Sequence, residues 1–262
     1  MADIRLSTKS KLDQPSFHRE LAIAREVQRA SLPAQTPRIP GLSSAIFYKP
    51  AHSVGGDYYD FLFLRKGTWA IAVGDVSGKN ISAALVMANL QGLLRAQASH
   101  LQSDPATQVA NINRLVWEFS PQQFFASLFY AEYQPQSRML RYVNAGHNPP
   151  IVIRRAHGRC VLHRLPPECA PVGALKDSRY ASTGFQLQVD DVLVAYTDGV
   201  TESQDNEGNG FGQERLERIL LDCRSGGPNK VLQLILDELS AYSAGCSQTD
   251  DITLVVVKVE ER

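Results

Sequence analysis

The sequence predicts an α+β layered sandwich, and three observations lead to it. Apolar stretches with the two-residue period of half-buried strands come in runs rather than singly. Stretches with helical period are gathered into pairs between those runs, whereas a doubly wound parallel sheet would alternate one helix with one strand. The 262 residues, 44% of them hydrophobic, suffice for one large domain with its own core.

In chain order, residues 1–15 are polar and mixed in charge and are expected to form a flexible tail. Ser16 supplies a helix cap after Pro15. Phe17, Leu21 and Ala24, with Ile23, Val27 and Ala30, trace an apolar stripe, so 16–32 reads as an amphipathic helix that Pro33 stops. The stripe needs a cover, either the globular core or, as a homodimer or regulatory contact, another chain. Residues 33–41 carry Pro33, Pro37, Pro40 and Gly41 and read as an extended linker, with the globular domain occupying 42–262.

Three closely spaced strands are expected at 42–50, 57–65 and 68–76, followed by helices at 81–98 and 105–119. Short strands at 124–133, 139–144, 150–153 and 161–165 are separated by turn residues, and such clustering suggests antiparallel pairing. Residues 185–189 and 192–196 straddle Asp190-Asp191 and read as a hairpin. Helices at 212–223 and 229–241 precede a last strand opened by Asp250. There is no internal repeat and no low-complexity segment.

Lys plus Arg and Asp plus Glu balance at 27 each, so no global field draws the chain to nucleic acid or an anionic membrane. The four cysteines show no CxxC spacing, no apolar signal-peptide core opens the sequence, and no apolar run approaches the ~20 residues that span a bilayer. A cytoplasmic location is expected.

The chemistry is carried by acids at the tips of apolar strands. Asp75 shares an inward face with Trp69, Ile71 and Val73, and Asp57 shares one with Tyr59, Phe61 and Phe63. Asp198 follows Val192, Val194 and Tyr196, and Asp250 precedes Ile252, Leu254 and Val256. If the four converge, each like-charged pair at ~4 Å costs roughly 4 kcal/mol at an effective dielectric near 20. Neutralisation by metal is then the economical solution, and an all-oxygen set points to magnesium or manganese rather than zinc. Glu202, four residues after Asp198 on an expected helical turn, is a candidate for a further ion. Asp60, Asp190, Asp191 and Asp251 read as turn, hairpin or supporting groups.

Ser77-Gly78-Lys79 is not a phosphate-binding P-loop, because position 73 is Val and position 80 is Asn. No Gly-x-Ser-x-Gly elbow or Cys-His pair supports a covalent nucleophile, which leaves water as the attacking group. Two ions sharing a carboxylate, for which Asp75 is the candidate, would activate that water. His147 is open to two readings, a general acid or a residue that fixes the Gly-His-Asn-Pro loop, and the second is favoured.

These residues carry a resemblance. Ala24-Arg25-Glu26-Val27-Gln28 with Leu32-Pro33, Gly55-Gly56-Asp57-Tyr58-Tyr59-Asp60, Gly74-Asp75-Val76-Ser77-Gly78-Lys79, Asn144-Ala145-Gly146-His147-Asn148-Pro149-Pro150, Tyr196-Thr197-Asp198-Gly199-Val200-Thr201-Glu202 and Asp250-Asp251-Ile252-Thr253 occur in this order. Together they resemble the metal-dependent PPM/PP2C protein phosphatases of the bacterial SpoIIE/RsbU type. The resemblance implies an αββα sandwich of two antiparallel sheets flanked by helix pairs, with two manganese or magnesium ions, and room for a third, at one edge. It implies hydrolysis of phosphoserine or phosphothreonine, commonly on a STAS-domain anti-sigma-factor antagonist in a partner-switching pathway.

Asp57, Asp75, Asp198 and Asp250 match the family's metal ligands and the Val76 carbonyl a backbone ligand, with Asp75 and Asp57 acting catalytically through the water held by the ions. Gly56, Gly74, Gly78, Gly199 and His147 fall at loop-shaping positions. Asn80 departs from the pattern, which usually has Gly there. Ser77 stands where eukaryotic relatives carry a His, so the leaving-group acid is unassigned. Two other functions stay open at this point: a pseudophosphatase that binds a phosphoprotein without turnover, which retention of all four acids opposes, and a metal-dependent phosphodiesterase.

Overall fold

The computed structural model describes residues 14–100, 104–121, 123–156, 159–223 and 226–261. Most of the expected tail lies outside them. The elements are α1 (Gln14–Ser31), β1 (Leu42–Lys49), β2 (Asp57–Phe63), β3 (Trp69–Val76), α2 (Ile81–His100), α3 (Pro105–Phe119), β4 (Ala126–Gln134), β5 (Met139–Ala145) and β6 (Ile151–Ala156). They continue with β7 (Arg159–Arg164), β8 (Thr183–Gln186), β9 (Val192–Tyr196), α4 (Asp198–Thr201), α5 (Gln213–Asp222), α6 (Pro228–Tyr242) and β10 (Ile252–Val259).

Two five-stranded sheets form, ordered β1-β10-β9-β6-β7 and β2-β3-β4-β5-β8, with every strand pair antiparallel. Alternation along the central strands builds both sides of the first sheet. Leu193 and Ala195 of β9, with Val255 and Val257 of β10, join the core shared with the second sheet. Val194, Tyr196, Leu254 and Val256 pack instead with Leu216 and Leu220 of α5 and Ile235 and Leu239 of α6. A strand covered on both faces reads as a continuous apolar run, which is why Val255-Val256-Val257 carries no polar alternation. Helices α2 and α3 pack on the second sheet, through β2 and β3 and through β4 and β5. Asp104 caps α3, accepting from Ala106 N at 3.0 Å ahead of Pro105.

The expected hairpin across Asp190-Asp191 is not formed: β8 pairs with β5 in the second sheet, whereas β9 pairs with β6 and β10 in the first. The two aspartates therefore mark a passage between sheets. Asp191 is buried against Arg154 of β6, with a 2.6 Å ion pair; its carbonyl accepts from Val259 N at the end of β10, and Asp190 N donates to the Val259 carbonyl, both at 2.9 Å. Asp190 turns the chain at φ +68° and pairs with Lys258 at 2.9 Å. Those contacts attach the turn to the first sheet and leave β8 to the free edge of the second.

Helix α1 starts at Gln14, inside the expected tail, and none of its residues is buried. Phe17, Ile23 and Val27 of the predicted stripe are 40%, 46% and 65% exposed. The helix meets the sandwich at its C-terminal end, where Leu32 is buried and Gln91 Nε2 donates to the Ser31 carbonyl at 2.8 Å. Among the described residues no helix is long and apolar enough to cross a membrane.

Candidate metal centre

Asp57 opens β2 directly opposite Asp75 of β3, so the pairing places both side chains on one face of the second sheet, the face turned to the first. The turn into Asp57 is held tightly. Asp251 accepts from Ala51 N at 2.7 Å and Gly56 N at 2.6 Å, and a Cβ on Gly55 would lie 2.5 Å from its carboxylate. From α1, Gln28 Nε2 donates to the Gly55 carbonyl at 2.7 Å while its Oε1 accepts from Gly55 N at 3.0 Å. Gly56 lies against the Val76 carbonyl, which a Cβ there would approach to 3.0 Å.

Asp57 is 1% exposed, and two hydroxyls from the opposite sheet donate to its Oδ2, Thr197 Oγ1 at 2.7 Å and Thr253 Oγ1 at 2.5 Å. Sequence reasoning missed both threonines; the signal for Thr253 was a polar residue interrupting an apolar strand. Burial, then the Asp75 charge, push the Asp57 carboxyl well above the usual range, against the pull of the two hydroxyls.

Asp198 and Asp250 lie beyond the strands they were expected to close and open: Asp198 is the first residue of α4, and Asp250 precedes β10 by two residues. At the end of the ladder Thr197 N still donates to the Thr253 carbonyl at 3.1 Å, but Thr253 N bonds the Thr197 hydroxyl instead of its carbonyl, at 2.9 Å. Gly199 then passes so near the neighbouring backbone that a Cβ would fall 2.0 Å from the Asp251 carbonyl. Glu202 caps the expected helical turn, its N–H donating to the Asp198 carbonyl at 2.7 Å. Carboxylate oxygens of Asp198, Glu202 and Asp250 lie within 4.8 Å of one another.

Asp75 senses this group. Burial first, then Asp198, Asp250 and Asp251, push its carboxyl up to about 8, with Lys79 opposing. Burial followed by Asp250 and Glu202 raises Asp198 to about 6, again against Lys79. The Lys79 ammonium sits 2.7 Å from Asp250 Oδ2 and donates to the Thr249 carbonyl at 2.9 Å. A set of carboxylates from four separate segments, each raising its neighbours' protonation, fits a hard divalent cation.

The loop after β3 carries two left-handed residues, Gly78 at φ +94° and Asn80 at φ +101°. Asn80 nevertheless starts α2, its carbonyl accepting from Ala84 N at 3.1 Å. Ser77 is tied to the backbone of Phe125, accepting through Oγ at 3.1 Å and donating through N at 2.8 Å, which is a positioning role. Gly74 permits close approach of β4, since a Cβ would sit 3.0 Å from the Ser127 carbonyl.

Buried His147 has Nδ1 hydrogen-bonded to Ser127 Oγ at 2.7 Å, and its backbone N–H donates to Asn144 Oδ1 at 2.8 Å. Burial lowers the imidazole to about 4, with the Tyr196 carbonyl partly offsetting it, so the ring is neutral at neutral pH and fixes the loop. Asp60 lies apart from the cluster, paired with Arg95 of α2 at 2.7 Å.

A family model described as Stage II sporulation protein E (SpoIIE) matches residues 65–260. The chain belongs to the SpoIIE family, of the PP2C type. It is 28% identical to Protein IcfG of Synechocystis sp. over 264 residues, spanning 91% of this chain and 41% of that protein. It is 27% identical to the phosphoserine phosphatase RsbU of Bacillus subtilis over 246 residues, 94% of this chain and 71% of RsbU. The SiaA-PP2C domain of Pseudomonas aeruginosa superposes with a TM-score of 0.81 at 21% identity, covering 94% of this chain and 98% of that one. The PP2C phosphatase domain of Bacillus subtilis SpoIIE, with a fragment of its regulatory domain, gives 0.66 at 18% identity, over 86% of this chain and 64% of that one. Both superpositions speak to the fold.

Proposed function

We propose that this SpoIIE-family chain is a metal-dependent protein phosphatase that hydrolyses phosphoserine or phosphothreonine on a STAS-type anti-sigma-factor antagonist or similar regulatory protein. The observation that carries the reading is the gathering of Asp75, Asp198, Glu202 and Asp250 beside Asp57 at one end of the sandwich. In this reading Asp57, Asp75, Asp198 and Asp250, with the Val76 carbonyl, hold two manganese or magnesium ions, and Glu202 serves a further one. Bound divalent ions supply Lewis-acid charge that activates water and polarises a phosphoryl oxygen. A structural relative, RsbX, was solved in complex with magnesium.

The chain's own residues do the positioning. Thr197 and Thr253 hold Asp57 in one orientation at the inner wall of the site. Asp75 stands beside it across the strand pair, and the Gly199 turn brings Asp198 and Glu202 to meet Asp250. RsbU and RsbP are named phosphoserine phosphatases, which supports the substrate class. The exposed stripe of α1 supports a homodimer or a regulatory contact through that helix.

Hydrolysis of p-nitrophenyl phosphate, its bis ester and a phosphoserine protein, each with Mn2+ and after exhaustive chelation, tests the proposal. Metal-dependent turnover of the monoester and the phosphoprotein is expected. Turnover that survives chelation refutes the metal centre, preference for the bis ester indicates a phosphodiesterase, and phosphoprotein binding without turnover a pseudophosphatase.

A further inference from the structure

We propose that Lys79 contacts the substrate, donating a hydrogen bond to a phosphoryl oxygen at the mouth of the carboxylate cluster; this rests on the phosphatase reading above. A phosphate monoester entering this site passes Asp75, Asp198, Glu202 and Asp250, whose charge bound ions would offset without exceeding, so a cationic donor at the rim gives it a favourable approach. Lys79 is the cation that acts on Asp75 and on Asp198, and its own electrostatic neighbours are Asp250, Asp198 and Glu202. It sits at the rim of the group, 2.7 Å from Asp250 Oδ2, on the loop beside it.

The ammonium has three N–H donors. One faces Asp250 Oδ2 and a second the Thr249 carbonyl, which among the described residues leaves the third for a ligand. The Thr249 contact is to a neutral backbone oxygen, so Lys79 keeps an anchor at the rim whatever cation Asp250 faces. Its side chain is 47% exposed, within reach of an incoming protein-borne phosphate. The loop that carries it is fixed from below by the paired hydrogen bonds of Ser77 with Phe125. A flexible stem on a pinned loop lets the ammonium follow the phosphoryl group without moving Asp75.

The test uses the full chain with Lys79→Met and Lys79→Arg. Calorimetry would measure Mn2+ binding alone and inorganic phosphate binding in saturating Mn2+, beside KM and kcat for p-nitrophenyl phosphate. Lys79→Met is expected to weaken phosphate binding about 10-fold or more, on the scale of one hydrogen bond to a charged group. KM should rise by a similar factor while Mn2+ binding is retained, and Lys79→Arg should recover most of the loss. Phosphate affinity within twofold of the parent overturns the proposal. So does a loss matched by an equal loss of Mn2+ affinity, which would mean that Lys79 only holds Asp250, or a parent that binds no phosphate in Mn2+. A parent that binds phosphate through Lys79 yet hydrolyses nothing would instead remove the phosphatase reading and leave the contact standing.

Discussion

Replacing Asp75 by Asn separates the electrostatic cost of this carboxylate from its use. In the folded chain burial and the charges of Asp198 and Asp250 raise it from 3.8 to about 8. Between those values the folded protein holds a proton that the unfolded chain has released, so the stability of the metal-free protein falls as pH rises through that window. At about 1.4 kcal/mol per tenfold change in proton affinity the penalty approaches about 4 kcal/mol at pH 7. Burial and then the Asp75 charge also raise Asp57, so part of the penalty is repulsion between the two, and Asn restores about 2 kcal/mol of it. That corresponds to a melting temperature about 4–8 °C higher in EDTA at pH 7 to 8. The gain should shrink as pH falls through the window and vanish below 3.8, where Asp75 is protonated in both states. With Mn2+ present the order reverses: the metal should raise the variant's melting temperature less, and turnover should fall at least about 100-fold. Melting curves across pH in EDTA and in Mn2+, beside p-nitrophenyl phosphate turnover, read both halves. A variant less stable than the parent in EDTA at pH 8 would show Asp75 to be structural, and near-parental turnover would move the active site elsewhere.

Thr253→Val removes one of two hydroxyls that hold Asp57 Oδ2; it should cost about 1 kcal/mol in EDTA and reduce the metal-induced rise in melting temperature, and unchanged melting in both conditions would refute that role. Asn80→Gly relieves the left-handed backbone at φ +101° and should stabilise the chain by about 0.5–1 kcal/mol in urea titrations; a lowered midpoint would mean that the Asn side chain repays its strain. Gly199→Ala forces a Cβ toward the Asp251 carbonyl, 2.0 Å away; a loss of about 3 kcal/mol or more is expected in the same assay, and a neutral result would show that the α4 turn can move.

What could be read from the chain alone is local. The two-residue period placed Asp57 and Asp75 on the inner faces of their strands, and the structure pairs them across β2 and β3. The helix expected at 105–119 is α3, and β9 begins and ends where its apolar run does. Asp198 and Asp250 were legible because charge at the end of an apolar run is costly and stands out against it, and Glu202 through its spacing of four from Asp198. Partner choice was not legible. Residues 185–189 and 192–196 look like a hairpin in any window that contains only them, and the ion pair of Asp191 with Arg154, 37 residues away, helps assign the intervening turn to the first sheet. The hydroxyls that hold Asp57 come from 140 and 196 residues along the chain, and Lys79 meets the Thr249 carbonyl across 170. The apolar stripe of α1 was read correctly as a pattern, yet only the tertiary structure showed that the sandwich leaves it uncovered. Periodicity is set by the geometry of a few consecutive residues, whereas contact across sheets depends on how the whole core closes, and that is decided by packing between segments that share no sequence neighbourhood.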